Sequence, residues 1–387
     1  MSNAILLAPG PVQLHPEVQK ILSQPMIHHR TPEFDQILKR ALTGLKFLFQ
    51  TEQPVYMHTS TGSGGMESLL VNILNQGDEV LSIVSGKFGE RWADMAEVYG
   101  AKVHRLNIAW GQAVNPVDVE SFLQKNKNIK MVLCQATETA TATSHDIQAL
   151  GLIVAQTPAL LIVDGITGVG AYDIRMDEWK IDGLVAGSQK AVMLPTGMSY
   201  VSFSQKAWAV VEKCKTPRYY FDLRREQKAN LNGETLFSTP VPIVRALDFV
   251  LTRIQQIGLQ THFQQLRRRA DFTRAIASVM KLELYSKSPS DSVTALVVPA
   301  GLDGAALRGH LEKKYLVTVM GGQDLAKGKI IRIGHMGYIT DLDMIETMFR
   351  LAQALKDQSY EINPEEIRSA SEAWLRAHVA PTEKVQL

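Results

Sequence analysis

Apolar positions follow two different spacings along this chain, and each spacing predicts a different element. Between residues 55 and 186, short apolar runs typical of buried strands alternate with stretches whose apolar residues recur every three or four positions. The expected strands are residues 55–57, 79–84, 102–106, 130–134, 160–163 and 184–186. The expected helices are residues 31–49, 63–74, 88–99, 116–124 and 146–155. This alternation predicts an α/β fold with a mostly parallel sheet between two layers of helices.

The pattern changes after residue 240. Residues 240–280 are expected to form one long helix. Strands expected at residues 293–298, 317–319 and 329–333 then alternate with helices at 303–314 and 341–355, which suits a smaller α+β domain. The expected division is an N-terminal arm (residues 1–20), a large domain (21–250) and a small domain (251–387). The tail, residues 358–387, has a helix-like stretch at 364–378 that this division does not place.

Composition narrows the class of protein. The chain has 387 residues, of which 45% are hydrophobic and 21% charged, as in ordinary globular proteins of two domains. A formal net charge of +2 does not indicate a nucleic-acid or membrane surface. Two cysteines exclude a disulfide framework and a cysteine-rich metal site. Cys134 is expected to be buried, whereas Cys214 follows a polar pair that is compatible with exposure. No secretory signal opens the sequence, so the cytoplasm is expected.

The strand-end aspartate Asp164 and the turn lysine Lys190 are the most informative pair of residues. Asp164 ends an apolar run, and Lys190 follows the next expected strand in a small polar turn. Ligands bind at the carboxyl ends of parallel strands, so both side chains are expected in one cleft. Pyridoxal phosphate needs such a pair, because a lysine amine bonds to its aldehyde and a carboxylate keeps its pyridine nitrogen protonated. A single lysine after a strand is more often a solvated surface residue.

The segment 60–67 is rich in glycine and lies between an expected strand and an expected helix. Free N–H groups at the helix start, with the hydroxyl groups of Thr61 and Ser63, favour a phosphate group. The segment lacks the lysine of a nucleotide P-loop and does not fit the dinucleotide fingerprint. A purely structural turn around Gly62 is an equally good interpretation.

Three other residues at strand ends or within strands are candidates for ligand contacts. Phe88 either packs in the core or stacks on a cofactor ring. Thr139 follows a strand and is placed to bind a cofactor oxygen or the substrate, although such threonines are common at strand ends. Arg332 lies inside an apolar strand, where its guanidinium must meet either a protein carboxylate or a substrate carboxylate.

Histidines do not indicate a metal site. His28, His29 and His335 have no neighbouring His, Asp or Glu residues at ligand spacing. Roles in packing or at the rim of a substrate pocket are expected instead, and no metal is expected.

Several motifs occur in an order that resembles a known family. The chain resembles the class V aminotransferases of fold type I, and within them the alanine–glyoxylate and serine–glyoxylate aminotransferases; it also resembles sequences labelled as the small subunit of a soluble hydrogenase. The similarity extends from about residue 5 to about residue 354. The motifs are Leu7-Ala8-Pro9-Gly10-Pro11-Val12, His28-His29-Arg30-Thr31-Pro32-Glu33-Phe34, Ser60-Thr61-Gly62, Val163-Asp164, Gly187-Ser188-Gln189-Lys190-Ala191, Met320-Gly321-Gly322 and Arg332-Ile333-Gly334.

The resemblance implies a pyridoxal-phosphate enzyme with a large domain, a smaller α+β C-terminal domain and a role for each motif. Lys190 and Asp164 would be catalytic, and Gly10 and Arg332 would bind substrate. Phe88 and Ile166 would cover the two faces of the cofactor ring. The residues implied to bind the cofactor are Thr61, Gly62, Ser63, Phe88, Thr139, Asp164, Ile166, Gln189, Lys190 and Thr239.

The resemblance also implies a homodimer with active sites at the subunit interface. In the family, a tyrosine and a threonine from the neighbouring subunit often complete the phosphate site. Thr239 matches that threonine, but the tyrosine position falls near Leu236. A second difference is Thr139-Ala140-Thr141-Ala142, where the family usually has Ser/Thr-Ser-Thr-Gly.

The expected activity is transfer of an amino group from alanine or serine to glyoxylate by a ping-pong mechanism. Small donors are expected because Arg332 is the one arginine placed to meet a substrate carboxylate, although Arg30 and Arg224 are alternatives. A cysteine desulfurase-type lyase is a second interpretation, but neither cysteine lies in a suitable loop. A third is a non-redox subunit of a soluble hydrogenase complex.

Overall fold

The computed structural model describes residues 4–379. The first half contains β1 (Ile5–Leu6), α1 (Pro16–Leu22), α2 (Pro32–Phe49), β2 (Val55–His58), α3 (Gly62–Ile73), β3 (Glu79–Val84), α4 (Lys87–Val98), β4 (Lys102–Asn107), α5 (Pro116–Lys125), β5 (Ile129–Gln135), β6 (Thr137–Glu138), β7 (Thr143–Ser144), α6 (Ile147–Val154), β8 (Leu160–Asp164) and β9 (Gly183–Gly187). The second half contains β10 (Ser199–Phe203), α7 (Gln205–Val211), α8 (Leu223–Leu231), α9 (Val241–Ile257), α10 (Leu259–Val279), β11 (Val293–Val297), α11 (Gly304–Tyr315), β12 (Val317–Thr318), β13 (Met320–Gly321), β14 (Ile330–Gly334), α12 (Asp341–Asp357) and α13 (Pro364–Ala377). Within residues 4–379, no helix is both long and apolar enough to cross a membrane.

A seven-stranded sheet forms the centre of the fold, in the order β2-β10-β9-β8-β5-β3-β4. All neighbouring pairs are parallel except those that β10 makes with β2 and β9. Alternate strand residues face opposite layers: Leu81 packs with helices α2, α5, α6 and α9, and Val80 packs with α3, α4 and α7. The predicted α/β architecture with a mostly parallel sheet is therefore confirmed.

The structure corrects the expected secondary structure at several places, and two of these corrections have a clear physical cause. Strand β10 was not predicted, because its serines interrupt the apolar run; the hydroxyl of Ser202 is satisfied by the carbonyl of Pro54. The single helix expected at residues 240–280 is two helices, α9 and α10. Gly258 separates them with a φ of +82°, a backbone conformation that glycine adopts readily and that ends a helix.

The C-terminal region forms a second layer of sheet and helices. Strands β11, β14 and β13 make an antiparallel sheet, and the strand expected at 317–319 is divided between β12 and β13. Strand β1 pairs with β12, so the N-terminal arm joins this region. Helix α13 packs on α10, where Trp374 meets the ring of Phe272 edge-on. Residues 380–387 of the tail lie outside the described residues, and the domain division near residue 250 stays a prediction.

Close packing of a helix glycine gives a test of this fold. A Cβ atom at Gly151 in α6 would lie 1.7 Å from the backbone oxygen of Trp179, whereas one at Gly309 in α11 would meet nothing within 4 Å. We expect Gly151→Ala to destabilise the protein by about 1–3 kcal/mol through overpacking. Gly309→Ala, the matched control, should stabilise it by about 0.5–1 kcal/mol. Urea unfolding of both variants measures the difference, and equal effects of the two would contradict this packing.

Candidate active site

The candidate site lies at the carboxyl ends of neighbouring strands. Asp164, the last residue of β8, pairs in register with Gln135 at the end of β5 and with Val185 in β9. Lys190 follows β9 by three residues. Parallel strands bring these ends to one edge of the sheet, so the aspartate and the lysine predicted as a pair do converge there.

Asp164 is almost fully buried, with 5% of its surface exposed. Its Oδ1 atom accepts a hydrogen bond from the backbone N–H of Ile166 at 2.8 Å. Burial raises the pKa of Asp164 to about 6, because desolvation outweighs the opposing effects of that hydrogen bond and of the positive charges on Arg91 and Lys190. The side chain is therefore a carboxylate at neutral pH.

Lys190 extends directly over Gly10 of the N-terminal arm. Its Nζ atom donates to the carbonyl of Pro9 at 2.5 Å. A Cβ atom at Gly10, whose φ is +121°, would lie within 2.7 Å of three Lys190 side-chain atoms. Desolvation lowers the pKa of Lys190 to about 8, assisted by the like charges of Arg332 and Arg91 and opposed by Asp164. Much of this amine is therefore neutral just above physiological pH.

The start of α3 presents backbone N–H groups that no side chain caps. Thr61 is the residue before the first turn, and its hydroxyl makes no capping bond. A Cβ atom at Gly62 would lie 2.6 Å from Ile166, so glycine allows the helix to approach the strand-end loop. Ser63 Oγ accepts a hydrogen bond from Arg91 Nη1 at 2.9 Å. Gln189 Oε1 is buried with no hydrogen-bond partner among the described residues. The uncapped N–H groups of α3, with the Ser63 hydroxyl and Arg91, form a candidate anion site.

Glu138 was not predicted, yet it connects three parts of the site. Its carboxylate accepts hydrogen bonds from the backbone N–H groups of Phe88 and Gly89 in α4, from Ala140 and from the Gln135 side chain. Burial raises its pKa to about 7, while the backbone hydrogen bonds oppose that shift. Phe88 is half-buried, and the Arg91 guanidinium lies 4.8 Å from the centre of its ring. Only the contacts between distant segments reveal the role of Glu138.

Thr139 and Arg332 are joined by hydrogen bonds. The Thr139 hydroxyl bonds to the hydroxyl of Thr167 at 2.8 Å, and its carbonyl accepts from Arg332 Nη1 at 2.8 Å. Thr167 follows Ile166 in the loop after β8 and was also missed. The sequence signal that would have found it is its place three residues after Asp164.

Arg332 is held by backbone carbonyls. Its Nε and Nη2 atoms donate to the carbonyl of Gly321 at 3.0 and 2.8 Å, in addition to the bond to Thr139. No carboxylate in residues 4–379 forms an ion pair with it, which removes the first of the two alternatives that the sequence left open. Five N–H donors make three hydrogen bonds, so one donor remains on each terminal nitrogen. Burial lowers the pKa of Arg332 to about 10, which leaves it positively charged.

Some candidate residues are not in the cluster. The Thr239 hydroxyl bonds to Thr235 and to the carbonyl of Phe237 within its own loop, and none of its bonds joins it to Lys190. His335 is buried against Thr294, as the packing interpretation predicts. Both cysteines are buried, so the exposure considered for Cys214 is wrong: its sulfur packs under the carbonyls of Val71 and Leu74.

The sequence matches a family over most of its length. Residues 13–344 match the family described as Aminotransferase class-V. The chain belongs to the class V aminotransferases. The resemblance drawn from the ordered motifs is confirmed by this match.

Three curated relatives of this class V aminotransferase carry informative names. An L-aspartate–glyoxylate aminotransferase of Paracoccus denitrificans is 38% identical over 87% of each chain. A serine–glyoxylate aminotransferase of Methylorubrum extorquens is 32% identical over 96% of each chain. A protein named soluble hydrogenase, small subunit, of Synechococcus sp. is 36% identical over 92% of this chain and 94% of that one.

Solved structures show the same fold. A ureidoglycine–glyoxylate aminotransferase of Bacillus subtilis superposes with a TM-score of 0.91 over 97% of this chain and 99% of that one, at 28% identity. The fold type I architecture that the resemblance implied is confirmed by this superposition.

The lowered pKa of Lys190 gives a test of the site. Because only a neutral amine is nucleophilic, acetylation of Lys190 by acetic anhydride should accelerate up to about pH 8 and then level off. Lys314 is the internal control, since its hydrogen bond and ion pair with Asp357 raise its pKa above the ordinary value of a lysine. Peptide mapping by mass spectrometry measures both rates. A Lys190 rate that keeps rising in parallel with that of Lys314 would contradict the desolvated site.

Proposed function

We propose that this class V aminotransferase uses pyridoxal 5'-phosphate to move an amino group from a small amino acid, alanine or serine, to glyoxylate. Lys190 and Asp164 lie at one edge of the central sheet, and β14 of the three-stranded sheet brings Arg332 to the Thr139 carbonyl at the same edge. This arrangement carries the proposal. The glyoxylate aminotransferases among the relatives support the choice of acceptor. The reaction then has two half-reactions in a ping-pong cycle, because donor and acceptor use the same site in turn.

The residues at the sheet edge fit the proposed cofactor. The uncapped start of α3, with Thr61, Gly62 and Ser63, suits a phosphate group. Phe88 and Ile166 supply apolar surface for the two faces of a ring, and Thr139 is placed for the ring's phenolic oxygen. When bound, the cofactor supplies an electron sink for the bond-breaking at the substrate's α-carbon.

Asp164 and Lys190 perform the proton chemistry. The Asp164 carboxylate holds a proton on the pyridine nitrogen, and its own burial strengthens that contact because little water competes. Lys190 Nζ would take the proton from the α-carbon of the donor and, in the second half-reaction, would deliver a proton to the α-carbon of the acceptor. Its lowered pKa makes the neutral, proton-accepting form accessible near the pH at which enzymes of this kind work.

Arg332 and Gly10 orient the substrate. The two remaining donors of Arg332 bind the α-carboxylate that amino acid and oxo acid share. Its three bonds to the carbonyls of Gly321 and Thr139 fix the guanidinium before substrate arrives. Gly10 lines the pocket from the opposite side, where any side chain would displace Lys190.

A small donor is favoured because the two alternative arginines that the sequence offered, Arg30 and Arg224, are engaged. Arg30 forms an ion pair with Glu234, and Arg224 forms one with Asp222, so neither is available within the chain for a second carboxylate. Leaving such a carboxylate buried without a partner costs several kcal/mol. One relative is named for L-aspartate, so the two dicarboxylic amino acids are the decisive competitors of alanine and serine.

The active enzyme is proposed to be a cytoplasmic homodimer. The Thr239 hydroxyl bonds to Thr235 within its own loop and makes no bond to Lys190. This is consistent with a contribution of Thr239 to the active site of the second subunit. The exposed side chains of Tyr219 and Tyr220 lie in the same region, where the Tyr220 ring stacks on Phe237 and the Tyr219 ring is tilted against it. They give that loop an apolar surface suited to a subunit contact.

The alternative of a cysteine desulfurase-type lyase is disfavoured by both cysteines. That chemistry needs an exposed cysteine near the cofactor, whereas Cys134 and Cys214 are buried and burial raises the pKa of Cys134. A role in a hydrogenase complex has the support of two relatives' names. Two cysteines cannot ligate an iron–sulfur cluster, so the redox chemistry of such a complex would belong to another chain.

A panel of donors and acceptors tests the proposed function. Alanine, serine, aspartate and glutamate are each paired with glyoxylate, pyruvate and 2-oxoglutarate, and initial rates are measured on the pyridoxal-phosphate-loaded protein. Alanine or serine with glyoxylate should be fastest. A dicarboxylic donor that wins would overturn the substrate assignment but not the cofactor assignment.

The same protein also reports on the cofactor. Borohydride reduction should fix the cofactor to the peptide that contains Lys190 and abolish turnover. Lys190→Ala should lose both the fixation and the activity, while the control Lys130→Ala, at an exposed position of β5, should keep both. Cofactor fixed elsewhere, or full turnover by Lys190→Ala, would refute the proposal.

Arg332→Lys isolates the contribution of two-pronged binding. Lysine keeps the charge but loses the planar fork, so the apparent affinity for donor and acceptor should fall by about 1.5–3 kcal/mol, or roughly ten- to a hundredfold. Cofactor absorbance should not change. Arg376→Lys, at an exposed position of α13, is the control. An equal loss for an amine that lacks a carboxylate would show that Arg332 is structural instead.

A further inference from the structure

Arg91 is a cation of the candidate site that the sequence motifs do not identify. It lies one turn after Phe88 on α4. Its guanidinium is 4.8 Å from the centre of the Phe88 ring, and its Nη1 atom donates to Ser63 Oγ at 2.9 Å. The side chain therefore spans from the proposed ring-stacking residue on α4 to the first turn of α3.

No acidic side chain of the described residues neutralises Arg91. The three acidic residues on its own helix pair with other cations: Glu90 with Lys87, and Asp94 and Glu97 with Arg105. A half-buried guanidinium that has only a hydroxyl and a ring as partners keeps most of its charge unbalanced. Arg105, in contrast, has two carboxylate partners at the surface.

The surroundings of Arg91 add positive potential. The first turn of α3 carries free N–H groups and no side-chain cap, so the partial positive charge of the helix end faces the same space. The charge of Arg91 also lowers the pKa values of Asp164 and Lys190, which shows that it acts on the catalytic cluster. Two sources of positive charge with no carboxylate in ion-pair contact among the described residues suit a multiply charged ligand group.

We propose that Arg91 binds the phosphate group of the cofactor, together with Ser63 and the N-terminus of α3. The inference rests on the proposed function, because it assigns the anion to the pyridoxal phosphate of that function. A guanidinium presents a planar fork of donors to two phosphate oxygens, and Phe88 supports it from one face. Arg91 thereby also links the phosphate site to the aromatic residue that covers the ring.

A second carboxylate of a dicarboxylic substrate is the competing anion. The phosphate is favoured because Arg91 already contacts Ser63 in the first turn of α3, where free backbone N–H groups converge. Substrate carboxylates are expected near Arg332, which belongs to β14 and bonds to the carbonyl of Thr139.

Binding of cofactor fragments to the protein freed of cofactor tests the inference. Dissociation constants are measured by quenching of intrinsic fluorescence for pyridoxal 5'-phosphate and for pyridoxal, which lacks the phosphate. Arg91→Met should weaken binding of the phosphorylated compound roughly ten- to a hundredfold and leave the binding of pyridoxal unchanged within about twofold. Arg91→Lys should recover part of the loss. Arg105→Met is the matched control and should bind both compounds like the unmodified protein.

The outcomes separate this inference from the proposed function. If the unmodified protein fails to bind pyridoxal 5'-phosphate, the proposed function fails and the inference fails with it. If it binds, but Arg91→Met weakens both compounds by the same factor, the proposed function stands and the phosphate assignment is wrong. A loss seen only in the apparent affinity for aspartate or glutamate, with cofactor binding unchanged, overturns the assignment in favour of the substrate carboxylate.

Discussion

Desolvation of charged side chains around one edge of the central sheet, where β14 of the three-stranded sheet adds Arg332, is the constraint on which the site depends. Asp164, Lys190, Arg332 and Glu138 are withdrawn from water, and burial is the largest cause of each pKa shift. The shifts of Asp164 and Lys190 have opposite signs, so the two pKa values approach each other, to about 6 and about 8. Asp164 is therefore charged over the whole range in which Lys190 loses its proton. If Asp164 or Lys190 were less buried, its pKa would return toward its ordinary value and would lie farther from neutral pH.

Glu138 shows how the fold supports that burial. One carboxylate receives four hydrogen bonds from three segments, and it thereby holds the start of α4, the end of β5 and the Thr139 loop together. A Cβ atom at Gly86 would lie 2.6 Å from its carboxyl carbon, so the glycine turn before α4 is shaped around this side chain. The positions of Phe88 and Arg332 both follow from the same buried carboxylate, because Thr139 supplies one of the carbonyls that fix Arg332.

The sequence predicted the features that depend on local order, and it missed those that depend on packing between distant segments. Strand ends are visible as apolar runs, so Asp164, Lys190 and Arg332 were identified from their place in or after such runs. Arg91 and Glu138 carry no such signal, because their roles arise only where α3, α4 and β5 meet. Strand β10 was hidden by its serines, which are satisfied in the sheet. The break at Gly258 did have a signal, the glycine itself, but the apolar spacing on both sides of it matched one continuous helix.

The site contains two guanidinium groups without acidic partners, those of Arg332 and Arg91, and the proposed function assigns a different ligand to each. A ping-pong enzyme must keep its cofactor through both half-reactions while it releases one carboxylate and takes up another. Arg332 suits the exchanging ligand, because neutral carbonyls hold it in place and two donors stay open to whichever acid is present. Arg91 suits the cofactor phosphate, which stays bound through both half-reactions, because the N-terminus of α3 and Ser63 add donors beside it. A substrate carboxylate would not use all of these donors. Under the proposed function, separate arginines on α4 and β14 would let the enzyme bind one anion tightly and the other reversibly within one pocket.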